Sequence, residues 1–460
     1  MKKTRVLLLT NRDSDNVGDQ IIEASVISLL KVVARNLNID DDSFVVSSRA
    51  AGIISKKYLK TSDESLLTGA RKAISKADLL IFGGAPLFNY KYQSFYRRTI
   101  RTIELANEYG VPVVFSSIGV EPYSDSDPRS QALKRALNLP VVRQITTRDD
   151  LQSVNRYVSR RSTATALVSD PAVVADRVFE QVPDVSLPRT ESGGRTIGLV
   201  VTRAGIFADN DIRFSEQDQR RLWLDTIALL EERGDDYRLF TTGHFTDEIF
   251  LDSLVRHHGV PPKKVAFTVN SPDELIRELR RCEGVIAFRL HASITAFALG
   301  IPSIGLSWNF KVPEFYKGIG YSERAVGPAE WNARSIVSTL DSAIQEGVAK
   351  DEDYLYSVYR TLFEGVKAVL APGEAAEPFQ MEKVFETLPR YSGTSEKEYR
   401  AKVQRKLRRS YEHYYFQQNQ AARKSRSKRF KMRKSVSKAR RAMRRLGQRS
   451  LEVFRRVGNS

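Results

Sequence analysis

The chain has 460 residues, enough for two or three domains with cores of their own. Hydrophobic residues make up 41% and charged residues 28%, an ordinary globular balance, and the single cysteine, Cys282, excludes a disulfide framework. The net charge of +18 is confined to one end: residues 401–460 carry 21 Lys and Arg against Glu412 and Glu452, which leaves the first 400 residues one unit negative and argues against a nucleic-acid-binding body.

The opening segment, MKKTRVLLLTNRD, places basic residues before an apolar stretch, as a signal peptide does. Its apolar core spans only residues 6–9 before Asn11, Arg12 and Asp13, too short for that role. It predicts a first strand over residues 5–10. No run reaches the roughly 18 apolar residues of a membrane span, so the expectation is a cytoplasmic protein. The loop NRDSDNVGD then leads into a helix, and Asn16, Gly18 and Asp19 hold the strand-to-helix turn. Either they only make the turn, Gly by backbone freedom and Asp by capping, or they belong to a site, since turn and site coincide in such folds.

Further strands are expected at residues 43–47, 78–82, 113–116, 144–147 and 166–169, with helical patterns between them. That alternation argues a parallel sheet wrapped by helices. The third strand ends in Gly83-Gly84-Ala85-Pro86, where two glycines let the backbone approach a ligand or a facing domain. Neither G-x-G-x-x-G nor a Walker A sequence occurs, which argues against an NAD enzyme or a P-loop ATPase.

Residues 181–195, QVPDVSLPRTESGGR, mix Pro, Ser and Gly without apolar period and mark a boundary between domains at 1–183 and 195–390. A second strand series is predicted at 196–202, 237–241 and 265–268. Arg203 and His244 follow the first two of these strands and would face one crevice if the sheet is parallel. The segment 284–321, GVIAFRLHASITAFALGIPSIGLSWNFKVPEFYKGIGY, reads strand, helix, strand. It places Arg289, Leu290 and His291 between a strand end and a helix N-terminus, where open α/β sheets bind ligands and where exposed N–H groups favour anions. Five histidines with only His257 and His258 adjacent give no metal-ligand spacing, and neither metal nor cofactor is expected.

Residues 333–390 read as helices broken around 372–378. From 391 to 460 the chain becomes a basic helical tail. Tyr399, Val403, Leu407, Tyr411 and Tyr414 are spaced as one helical face, and Met432, Val436, Ala439, Met443 and Leu446 as another, with Lys and Arg between. Such a pattern suits an anionic membrane or an acidic polymer, through residues 396–460; a solvated extension is the alternative.

Asn16-x-Gly18-Asp19, Gly83-Gly84, Arg148-Asp149, Asp170-Pro171-Ala172, and Arg289-Leu290-His291 with Gly300-x-Pro302 and Lys311 resemble, in order, the polysaccharide pyruvyl transferase family. The family's usual third glycine after the third strand is Ala85 here. The resemblance implies two Rossmann-like lobes of GT-B type facing a central cleft, phosphoenolpyruvate as donor, a glycan or lipid-linked sugar as acceptor, and ketal formation; the lack of an apolar span and the basic tail give the expected place, in the cytoplasm or at the inner face of the cell membrane. The resemblance also implies donor binding at Arg289, Leu290 and His291, extended by position to Arg203 and His244, with Lys311 as a phosphate contact and Asn16 and Asp19 on the acceptor side. His291 is expected to move protons near neutral pH, and arginine forks to clamp carboxylate and phosphate. Two rivals remain: a nucleotide-sugar glycosyltransferase on the same architecture, and a polyanion-binding protein acting through the tail.

Overall fold

The computed structural model describes residues 3–420, apart from 92–94, 184–193, 204 and 268, together with 422, 423 and 427. Met1–Tyr399 form one compact unit and Arg400–Ser460 a second.

The first unit holds two parallel sheets. Strands β1 to β6 (Thr4–Thr10, Phe44–Ala50, Leu79–Gly83, Val113–Ile118, Val142–Thr147 and Ala164–Leu167) lie in the order 2-1-3-4-5-6. Strands β7 to β11 (Thr196–Val200, Asp236–Phe240, Gly284–Ala287, Ser303–Leu306 and Ala325–Val326) lie in the order 11-10-9-7-8. Helices cover both sheets, giving the two Rossmann-like lobes of GT-B type that the sequence implied.

The strands form where the apolar alternation asks for them. In β1, Val6 and Leu8 enter one apolar cluster and Leu7 and Leu9 another, because successive side chains point to opposite faces. The cluster holding Val6 and Leu8 continues through helix Val17–Asn36 to Val200 and Ala287 of the second sheet and Ala292 of the helix Leu290–Ala298. Both lobes therefore share one core beneath the first helix. Each sheet also reverses its winding direction once, beside β1 and beside β7, and an α/β sheet opens a ligand crevice at such a point.

Three elements differ from expectation. Residues 265–268 form no strand among the described residues; Val265 makes a single bridge to Leu239. Strand β11 went unanticipated, because two residues leave no periodic signal. Helix Glu352–Leu370 follows the second sheet in sequence yet packs on the first: Gln144 Nε2 donates to Thr361 O at 2.8 Å, and Tyr359 Oη donates to Asn36 Oδ1 at 2.5 Å. The expected linker at 181–195 falls mostly outside the described residues.

In the second unit residues 400–420 are helical, with Leu407, Tyr411, Tyr414 and Tyr415 exposed. The apolar face expected at Met432 to Leu446 lies outside the described residues. No helix among the described residues is long and apolar enough to cross a membrane.

Candidate active site

Strand β9 stops at Ala287, and Arg289, in extended conformation, is the N-cap of helix Leu290–Ala298. The turn after β1 meets it. Asn16 caps helix Val17–Asn36 by accepting from Gly18 N at 3.2 Å through Oδ1, so its Nδ2 faces His291 Nδ1 at 2.9 Å. With the amide oriented that way, the imidazole nitrogen accepts and Nε2 carries the ring proton. A Cβ built on Gly18 would lie 2.2 Å from His291 Cβ, so only glycine lets turn and ring touch. The lobes are also joined by Val17 N donating to Thr242 O at 2.7 Å.

A group of buried charges surrounds this contact. Arg148, just past β5, pairs with Asp170 and lies 3.9 Å from Asp149. Asp149 Oδ2 accepts from Val120 N at 3.1 Å, and Asp170 Oδ1 from Ala172 N at 2.8 Å. Burial raises the Asp19 carboxyl to about 6, against the opposing pull of Ser14, Arg148, Asn11 and Lys311. Burial lowers Lys311, with Asp149, Glu121 and Asp19 opposing and Arg148 reinforcing the shift. His291 is driven well below its ordinary value by burial, then by Arg148, Lys311 and Arg289. Protonating Nδ1 would also set it against the Asn16 amide hydrogens. Burial and these cations oppose protonation of the histidine expected to move protons near neutral pH.

Asp247, fully buried in the first turn of helix Phe245–His258, organises the remaining candidates. It takes the Arg289 fork at 2.7 and 2.6 Å and the Arg203 backbone N–H at 2.8 Å. The Arg203 guanidinium turns instead to Asp209 at 2.6 Å. His244 Nδ1 lies 2.9 Å from Thr246 Oγ1, and burial followed by Arg289 lowers its pKa. Arg203, His244 and Arg289 therefore gather around one carboxylate, but neither arginine presents a whole fork to a ligand. Lys311 makes no ion pair through its ammonium among the described residues, while its backbone N–H is held by Asn309 Oδ1 at 3.0 Å. Leu290 is half-buried beside this group.

Gly83 and Gly84 serve packing. A Cβ on Gly84, at φ +60°, would meet Ile22 Cγ2 at 2.2 Å, and one on Gly83 would crowd Leu8 and Val26. They let helix Val17–Asn36 sit close on the sheet, which aims Asn16 and Gly18 across the cleft. The sequence reading did not place Asp247, Glu121 or the Arg148–Asp149–Asp170 group in the site. Arg148-Asp149 at the end of β5 carried a usable signal, position at a strand terminus. Asp247 carried none beyond a helix cap. Finally, the hydroxyls of Thr10, Thr202, Thr242 and Ser307, at the carboxyl ends of β1, β7, β8 and β10, are buried without a hydrogen-bond partner among the described residues.

Several solved structures are similar to the chain at low sequence identity. A crystal structure assigned as a UDP-N-acetylglucosamine 2-epimerase from Listeria monocytogenes superposes with TM-score 0.50 at 10% identity, over 82% of this chain and 100% of the other. A UDP-GlcNAc 2-epimerase from Methanocaldococcus jannaschii gives 0.46 at 11%, over 78% and 98%. An E. coli heptosyltransferase gives 0.31 at 10%, over 66% and 88%. At such identities the likeness concerns the fold alone. No curated protein sequence matches the chain. The sequence model of polysaccharide pyruvyl transferases, however, matches residues 16–309, a span that begins at Asn16 and takes in Arg148, Asp170, Asp247, Arg289 and His291. The chain belongs to the polysaccharide pyruvyl transferase family.

Proposed function

We propose that this transferase moves pyruvate from phosphoenolpyruvate to two hydroxyls of a sugar, forming a ketal on a cell-envelope glycan or its lipid-linked precursor. The observation that carries the reading is the packing of Asn16-x-Gly18-Asp19 onto Arg289-Leu290-His291 at a helix N-terminus, with Lys311 among the charges acting on His291. Phosphoenolpyruvate is a compact anion, and a lysine without an ion pair among the described residues, an imidazole N–H and the N–H groups of a helix N-terminus are donors suited to it.

In this reaction C3 of the donor gains a proton, C2 becomes electron-poor, and one sugar hydroxyl adds to it. The C2–O bond to phosphate then breaks and the second hydroxyl closes the ketal. Of the two hydroxyl protons, one balances the new methyl group and the other leaves with phosphate. Lys311 and the Nε2–H of His291 stabilise the departing phosphate, and Arg289 contributes the N–H groups that Asp247 leaves over. Arg203 and His244 act through Asp247 as positioning residues. The buried hydroxyls of Thr10, Thr202 and Thr242 at strand ends, without a partner among the described residues, support a polar ligand nearby, since buried polar groups are normally paired. Residues 396–460 would hold the enzyme at the anionic inner face of a membrane, beside lipid-linked acceptors.

The test is incubation with phosphoenolpyruvate and a neutral glycan bearing vicinal or 4,6-paired free hydroxyls. Phosphate release should match the appearance of a ketal methyl signal by NMR, and His291→Ala should abolish most of it. Consumption of a nucleotide sugar with phosphoenolpyruvate untouched would replace this reading with a glycosyltransferase.

A further inference from the structure

The described residues enclose a cleft of 810 Å³ between the lobes, next to Lys311 but outside the charged group around His291. Its walls come from the segment after β4 (Glu121 to Arg129), from Tyr90 and Lys91, and from the turn Ser307–Phe310 after β10. Ligand clefts run to about 300–1,000 Å³, so this one admits a sugar of more than one ring.

Two aromatic rings give the cleft its chemistry. Trp308 is partly exposed and fixed in place by its indole N–H, which donates to Phe288 O. Phe310 is also partly exposed and immediately precedes Lys311. On the facing wall Tyr90 and Tyr123 are pinned through their hydroxyls, to Pro122 O at 2.6 Å and to Asp125 Oδ1 at 2.8 Å. An open indole and phenyl opposite a rigid polar wall is an arrangement that takes the C–H face of a pyranose while hydroxyls reach polar groups at the edge. Ser307 lies in the same wall as Trp308, its hydroxyl buried behind the surface without a partner among the described residues.

The charges decide what kind of ligand this is. Two acids, Glu121 and Asp127, face two bases, Lys91 and Arg129. Asp127 takes Arg129 at 2.6 and 3.0 Å, and Glu121 accepts the backbone N–H groups of Tyr90 and Lys91, both at 2.8 Å. The wall is neutral as a whole and its acids are already engaged. A nucleoside diphosphate needs uncompensated cations or free helix-end N–H groups, and the cleft walls offer no excess of the former.

We infer that this cleft binds a neutral pyranose, stacked on Trp308 and Phe310, and that it is the acceptor subsite of the proposed transfer. That last assignment rests on pyruvyl transfer; the binding of a neutral sugar does not. Glu121 joins the two places, since it lines the cleft and is one of the charges acting on Lys311. A ring on Trp308 would thus present its hydroxyls toward the anion site.

The experiment is a tryptophan-fluorescence titration of the full chain with galactose-, glucose- and mannose-terminated disaccharides and, separately, with UDP-N-acetylglucosamine. Trp223 is fully buried and Trp331 nearly so, which leaves Trp308 as the responsive ring. The expected result is quenching by at least one neutral disaccharide, none by UDP-N-acetylglucosamine, and loss of the signal in Trp308→Phe. Phe310→Ala should weaken sugar affinity by about tenfold. Stronger response to the nucleotide sugar, no response to any disaccharide, or unchanged sugar affinity in a folded Phe310→Ala protein would each overturn the inference. Sugar binding with phosphoenolpyruvate left unconsumed would instead remove the pyruvyl-transfer reading and leave the sugar site standing.

Discussion

Gly18→Ala is the smallest change that probes the junction of the lobes. The added methyl would lie 2.2 Å from His291 Cβ, 2.4 Å from Cγ and 2.5 Å from Nδ1, with no flexible chain end among the atoms it meets. Carbon contacts settle near 3.5 Å, so turn and ring must part by about 1.3 Å. That breaks the 2.9 Å contact between Asn16 and His291, and a displacement near 1 Å at a reacting group costs about a hundredfold in rate. Overpacking itself costs about 1–3 kcal/mol. The expected outcome is a kcat for phosphate release down about a hundredfold with only a modest fall in melting temperature. An NMR titration should find the His291 pKa moved up toward its ordinary value as water reaches the ring. Gly69→Ala is the control: nothing lies within 4 Å of its Cβ position in helix Thr68–Ile74, and the change should stabilise slightly. A Gly18→Ala protein with wild-type turnover, melting and histidine titration would refute the contact on which the site is built.

Asn16→Asp keeps the cap on Gly18 N but offers His291 Nδ1 an acceptor instead of a donor, so the imidazolium is favoured. Phosphoenolpyruvate affinity, flat with pH in the wild type near neutrality, should then fall as pH rises through the new histidine pKa, and a flat profile would contradict the assigned tautomer. Asp19 has a folded pKa of about 6 against 3.8 for the free group, so its contribution to stability is present below 3.8 and lost as pH rises through 6. Asp19→Asn lacks that loss; relative to wild type it should gain about 3 kcal/mol between pH 4 and 7 in urea unfolding, and a pH-independent difference would show that the carboxyl titrates normally. Removing residues 421–460 takes away 16 basic groups and one acid; soluble turnover should survive while sedimentation with phosphatidylserine vesicles is lost, and retained vesicle binding would exclude the tail as the attachment.

Much of the fold was legible because parallel strands buried on both faces are written as short apolar runs. Every strand longer than two residues was anticipated to within a few positions, and the single false strand, at 265–268, is a run that bridges β8 at one residue only. The site was legible in outline. Arg289 and His291 stand at a strand end that announces itself, and the turn at Asn16 was seen without its partner. What the sequence could not reveal was which groups neutralise each other. That Arg289 is forked by Asp247, that Arg203 turns to Asp209, and that Gly18 exists for His291 are facts of packing between residues far apart in sequence or of a surface pair. Burial then set the protonation: the same histidine in an open loop would titrate near 6.5, whereas three cations and a dry setting keep this one neutral.

The account turns on a single anion site where the turn after β1 meets the helix after β9. Calorimetric titration of phosphoenolpyruvate into the wild type and into Lys311→Met, with melting curves to establish that both are folded, tests it most directly. The wild type should bind saturably at one site, and the variant at least about tenfold more weakly. Equal affinity in the two proteins, or no binding by the wild type, would contradict it.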